Sequence, residues 1–160
     1  MKRKAVADTC VCLDLWHGKL LPHVGSLGVT LTIPDLVAEE LKNPGVDHFT
    51  AAGLKMVSGD GDVVALVFRW REMYRKPSLP DLFAMGIARK SGAILLTGDK
   101  HLRAASEKEG VEARGILWLL DQLEGKVSQA RLAQALEQIL SNGAFLPKVE
   151  CERRLNRWRK

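Results

Sequence analysis

Apolar positions along the chain follow two spacings, and the switching between them predicts the elements. Short β-prone runs at 4–7 (KAVA), 29–33 (VTLTI), 54–57 (LKMV), 93–96 (AILL) and 111–114 (VEAR) predict strands. Between them, apolar residues recur every third or fourth position, as on one face of a helix. Helices are predicted from Asp8-Thr9 to about 17, from Pro34 to about 41, and over 62–75, 78–91, 100–108, 115–123 and 128–140. The second of these keeps Leu36, Val37 and Leu41 on its apolar side, with Glu39 and Glu40 beside them, and Asn43-Pro44-Gly45 ends it. Propensity alone would make VVALVF (63–68) a strand, but Val63, Leu66, Val67, Trp70, Met73 and Tyr74 repeat at three and four, so a helix is predicted. The stretch 46–62 is the least regular, and Gly59-Asp60-Gly61-Asp62 reads as a turn. Its D-x-D pattern lacks the rest of a calcium loop and its closing glutamate.

One stretch, 78–102, organises the rest. Ser78-Leu79-Pro80-Asp81 is a helix start, with a hydroxyl for the cap, a proline in the first turn and an acid at the third position. Leu82, Phe83, Met85 and Ile87 leave much of that helix apolar, so it should be mostly buried, and Ser91-Gly92 stops it. The run 93–96 is the kind of strand parallel sheets use when both faces are covered. Thr97-Gly98-Asp99 ends it. Strands alternating with helices predict an α/β fold, a three-layer parallel sheet with helices on both faces and right-handed crossovers. The carboxyl ends of its strands share one edge.

The length of 160 residues suits one domain with an appendage, divided as 1–125 and a C-terminal helical extension with a basic tail, 126–160. No apolar run approaches the roughly 20 residues of a membrane helix. Asp8 and Asp14 interrupt the apolar segment behind the basic N-terminus, which argues against a signal peptide. Cys10, Cys12 and Cys151 form no CxxC pair and read as reduced thiols, giving a cytoplasmic expectation. The net charge of +5 is concentrated in the tail 148–160, which has six Lys/Arg against Glu150 and Glu152, and in Arg69, Arg71, Arg75 and Lys76. Clusters of this size fit a polyphosphate partner, and equally a solvated face.

Four acids fall near the sheet's carboxyl edge: Asp8 after the first strand, Asp99 after the fourth, Asp81 at the entrance of the helix between, and Glu40, with Glu39 as the fallback, on the helix after the second strand. Singly, each is explained as a helix cap or a wet helix face. Converging on one edge they would raise one another's pKa, and a divalent cation with oxygen ligands, Mg²⁺ or Mn²⁺, is the natural partner.

These segments, V-x-D-T at 6–9, I-P-x-x-V-x-E-E-L at 33–41, S-x-x-D-L at 78–82, and L-L-T-G-D-x-x-L-R-x-A at 95–105 with G-I-L-W-L-L after it, resemble a PIN-domain protein. That family consists of metal-dependent ribonucleases and includes the VapC-type toxins. The resemblance covers roughly 6–123. It implies an acidic quartet of Asp8, Glu40, Asp81 and Asp99 that holds Mg²⁺ or Mn²⁺ and does the catalysis, with Thr9 and Thr97 as flanking hydroxyls. It further implies endoribonuclease activity on RNA, and a toxin's antitoxin partner; a homodimer is the expected assembly. The RNA is expected to meet Arg69, Arg71, Arg75 and Lys76, with Arg89 and Lys100 as further phosphate contacts. His101 is expected as a surface position. The rival reading is a catalytically silent PIN-like module that binds RNA or protein. A nucleotide-binding α/β domain is weakened by the absence of GxGxxG and GxxxxGK[ST], and an acid-based phosphatase by Cys10 where the second Asp of D-x-D would stand.

Overall fold

The computed structural model describes residues 2–160. Five strands, β1 (Arg3–Ala7), β2 (Val29–Pro34), β3 (Lys55–Val57), β4 (Ile94–Leu96) and β5 (Ala113–Arg114), form one parallel sheet in the order β3-β2-β1-β4-β5. The order reverses between β1 and β4, so the crevice of the sheet opens beyond the carboxyl ends of those two strands. Ala5, Val6 and Ala7 pair with Ile94, Leu95 and Leu96, and the Asp8 amide donates to the Leu96 carbonyl at 2.9 Å, carrying the pairing to the start of the next turn.

Side-chain alternation along the strands divides the core into two layers. Ala5, Ala7, Leu31, Ile33, Ile94 and Leu96 face α1 (Thr9–His17), α2 (Asp35–Glu40), α3 (Val46–Ala51), α7 (Ile116–Gln122), α8 (Gln129–Ser141) and α9 (Lys148–Trp158). Val6 and Leu95 face α4 (Gly61–Met73), α5 (Leu79–Ser91) and α6 (Lys100–Lys108). The result is the three-layer α/β architecture the alternating pattern predicts. Gly86 lets α4 and α5 approach closely, because a Cβ there would lie 2.9 Å from Val63 Cγ1.

Several elements depart from the sequence expectation. The irregular stretch after Gly45 contains α3, which buries Phe49 and starts on a glycine with no side-chain cap, so it lacks the usual start signal. Asp60 is the N-cap of α4, accepting from the Val63 amide at 3.1 Å, where a plain turn was expected. On α4, Val63, Val67 and Trp70 are buried as predicted, but Met73 is exposed. Residues 126–160 share the first core layer: Leu132, Leu136, Ile139, Cys151 and Trp158 pack in one cluster with Ala5 and Leu96. On α9 the buried positions are Cys151 and Trp158, with Leu155 partly buried, while Val149 faces solvent.

Candidate active site

Two strand-to-helix turns flank the point where strand order reverses. Asp8 caps α1: its Oδ1 accepts from the Val11 amide at 2.8 Å, and its Oδ2 accepts from the Gly98 amide of the other turn at 3.2 Å. Asp99 caps α6, with Oδ1 accepting from His101 at 2.7 Å and Leu102 at 3.1 Å. Thr97, fully buried, stands beside both: its hydroxyl lowers the pKa of the Asp8 carboxyl and accepts from the Asp99 amide at 3.0 Å. Asp81 reaches the same edge from the start of α5, where Ser78 and Asp81 form the predicted capping box. Glu40 ends α2, and the Thr9 hydroxyl donates to its Oε1 at 2.6 Å. Of the adjacent pair, Glu40 is therefore the one tied to the Asp8 turn.

Electrostatics shows that the four acids share one field. Burial pushes the Asp8 carboxyl up to about 6 and the charge of Asp81 adds to it, against hydrogen bonds from Thr97, Val11 and Gly98. Asp81 is also raised, by burial first, with the charges of Asp99 and Glu40 adding and the Ser78 bonds opposing. Cys10, in the first turn of α1, is pushed up to about 12 by burial and by Asp8, Asp14, Asp81 and Asp99. Asp14 is a further acid beside the group, pushed up to about 7 by burial and by Asp8. It was not anticipated, although an acid inside the otherwise apolar run CVCLDLW is a signal in itself.

The oxygens not occupied by these caps are Asp81 Oδ1, Asp99 Oδ2 and Glu40 Oε2, which receive no hydrogen bond among the described residues. All are hard oxygen donors, the set that suits Mg²⁺ or Mn²⁺. Among the described residues no three acid, histidine or cysteine side chains stand close enough to enclose one ion directly. The fit is therefore to an ion that keeps waters in its shell, the usual habit of Mg²⁺.

The expected phosphate contacts scatter. Lys100 follows Asp99 directly and is exposed beside it, and His101 is exposed on the same turn. Arg75 and Lys76 are exposed in the α4–α5 loop, just before the Ser78 cap. Arg71 is committed to that loop's backbone, donating to the carbonyls of Pro77 at 2.8 Å and Arg75 at 2.6 Å. Arg89 lies about 12 Å along the α5 axis from Asp81, and it donates to the Glu109 carbonyl at 2.8 Å. Arg69 lines a shallow cleft with Arg89, Lys90 and Asp62, where Lys90 is bonded to Asp60 and Asp62. The tail arginines fold back onto acids: Arg154 to Asp121, Arg157 to Asp121 and Glu124, and Arg159 to Glu137.

A family model described as a PIN domain matches residues 4–160. Among solved structures, a PilT N-terminus domain protein from Sulfolobus solfataricus P2 is 16% identical over 84% of this chain and 94% of its own, with a TM-score of 0.47. A domain of a functionally unknown protein from Methanocaldococcus jannaschii is 20% identical over 71% and 90%, with a TM-score of 0.47. A toxin-antitoxin complex from Klebsiella pneumoniae is 17% identical over 59% and 86%, with a TM-score of 0.46. No curated protein matches the chain.

Proposed function

The chain belongs to the PIN-domain family, and from that premise we propose that it is a Mg²⁺- or Mn²⁺-dependent endoribonuclease hydrolysing RNA phosphodiester bonds. The observation that carries this reading is the placing of Asp8, Asp81, Asp99 and Glu40 around the point of strand reversal, where burial first, and their neighbouring charges after it, raise the Asp8 and Asp81 carboxyls above their ordinary range. Buried like charges are costly, and natural proteins keep them at sites that use them. Asp81, Asp99 and Glu40 would hold the cation through their unoccupied oxygens, while Asp8, bonded through both oxygens, supplies charge and locks the two turns together. A divalent ion held there would supply Lewis-acid activation of a water and charge neutralisation at the scissile phosphate. Thr9 positions the Glu40 carboxylate, while Thr97 accepts from the Asp99 backbone amide and lowers the pKa of the Asp8 carboxyl. An antitoxin partner, a homodimer and action in the cytoplasm are the finer form of the reading. No helix of the described residues is long and apolar enough to cross a membrane.

The test is incubation of the purified chain with varied single-stranded RNAs in Mn²⁺ or EDTA, beside Asp81→Asn and the pair Glu40→Gln and Glu39→Gln. Cleavage should need Mn²⁺, vanish in Asp81→Asn, fall roughly 10–100-fold in Glu40→Gln and persist in Glu39→Gln. RNA binding with no cleavage under any metal would leave the silent binding module as the function.

A further inference from the structure

Beside the acidic group a cleft of about 400 Å³ opens between the start of α6, the β5–α7 turn and the loop joining α8 to α9. Asp99, Lys100, Arg103, Arg114, Trp118 and Phe145 are among the residues that line it. None of these except Asp99 and Lys100 was singled out in the sequence. Arg103 lies one turn beyond Asp99 on α6, hence on the same face. Its Nη2 donates to the Thr97 carbonyl at 3.3 Å. The guanidinium rests in space left by a glycine: a Cβ on Gly115 would sit 2.8 Å from Nη2 and 3.5 Å from that carbonyl. Its Nη1 and Nε donate to no acceptor among the described residues. The structure thus holds a cation at the rim of the acidic group with half its donors free.

The far wall of the cleft is set by α9. Arg154 grips Asp121 with two bonds of 2.8 and 2.7 Å, and Arg157 adds bonds to Asp121 and Glu124. Asp121 is thereby neutralised, leaving Glu150 as the far wall's other acid against Lys100 and Arg103, while Arg114 is paired with Glu112 at 3.2 Å. The loop before α9 carries Phe145, fully exposed and lining the cleft. Its ring contributes nothing to the core, while the neighbouring Ala144 and Leu146 pack against it.

We propose that this cleft binds the single strand of RNA running into the acidic group, with Arg103 on a backbone phosphate and the Phe145 ring stacked on an unpaired base. The proposal rests on the ribonuclease reading and adds where the strand lies. Cations that follow a backbone and an exposed ring that stacks any base are the two parts of a single-strand site. A duplex keeps its bases stacked inside and offers the ring nothing. An acidic polypeptide would satisfy the cations but has no base for the ring.

The experiment is anisotropy of a short labelled single-stranded RNA titrated with the full chain in EDTA, so that nothing is cleaved. Phe145→Ala should weaken binding about tenfold, and Phe145→Trp should restore it. Neither should move the melting temperature, because the ring is outside the core. Arg103→Gln should lower the slope of log affinity against log salt by about one. The same RNA annealed to its complement should bind without regard to Phe145. If the parent binds and cleaves RNA while Phe145→Ala and Arg103→Gln behave as the parent, the strand path is wrong and the ribonuclease reading stands. Polyglutamate binding that depends on Phe145 would make the cleft a protein-docking site and overturn the proposal. A parent that neither binds nor cleaves any RNA removes both.

Discussion

After β1 and after β4 the chain makes the same turn: a strand ends, an aspartate caps the next helix, and a threonine stands beside it, Thr9 after Asp8 and Thr97 before Asp99. The outcomes differ because of burial. Asp8 is 1% exposed and spends both oxygens on backbone amides, one of them from the opposite turn. Asp99 is half-buried and spends one oxygen on two amides of its own helix. The first is a cross-link that carries a costly charge, and the second offers an oxygen to the cleft. A capping aspartate is thus a structural device or a ligand according to what surrounds its second oxygen.

The largest expected effect separates those roles directly. Asp99→Asn keeps an Oδ1 acceptor for the cap and removes the charge at the cleft. Cleavage should fall on the order of 10³-fold with the melting temperature unchanged or raised. Asp8→Ala should also abolish cleavage, but with a loss of about 1–3 kcal/mol in stability, because the Val11 and Gly98 amides lose their acceptors. Urea melts and Mn²⁺-dependent cleavage measured on both variants decide it. Equal stability losses in the two would erase the distinction.

A pH series tests the cost of the buried charge. The Asp8 carboxyl rises from 3.8 to about 6 on folding. The folded state therefore binds the extra proton, and the stability this brings is complete below pH 3.8 and lost as pH rises through about 6. At about 1.4 kcal/mol per pH unit of displacement, the swing is on the order of 3 kcal/mol. The metal-free parent should lose stability relative to Asp8→Asn between about pH 4 and 7, and Mn²⁺ should restore more at pH 7.5 than at 5, since cation and proton compete. A parent-minus-variant difference that stays flat with pH would show that Asp8 carries no such burden.

The contrast also marks what a sequence can disclose. Caps and periodicity are local, so Ser78/Asp81, Asp99 and the repeat Val63, Val67, Trp70 were legible. What burial does to a carboxylate is not local: Asp8 and Asp99 look alike in sequence, and Asp14 showed there only as a break in an apolar segment. Charge misled for the same reason. By charge alone the tail fitted a polyphosphate partner and a solvated face equally, yet Arg154 and Arg157, three apart, meet Asp121 and Glu124, also three apart. That matched spacing was a usable signal. Arg103, four residues after Asp99, was another. Phe145 left no trace, because a lone aromatic in a loop belongs to no period, and only the folded chain shows it fully exposed over the cleft.

The smallest effect concerns the hydroxyl that joins the two turns. Thr97 is fully buried, lowers the pKa of the Asp8 carboxyl and accepts from the Asp99 amide. Thr97→Val keeps the shape and removes the hydroxyl, leaving a part-buried amide unpaired, and should cost about 1–3 kcal/mol. Thr97→Ser keeps the hydroxyl and removes one methyl, for about 0.8 kcal/mol. The Val variant also takes from Asp8 a hydroxyl that opposes the effect of burial, so the pH at which the parent loses stability should move above 6. All four acids remain in Thr97→Val, so its cleavage should fall less than that of Asp99→Asn. If Val and Ser melt alike and the pH midpoint stays put, the two turns are independent caps, and the coupling between them must run through the Gly98 amide alone.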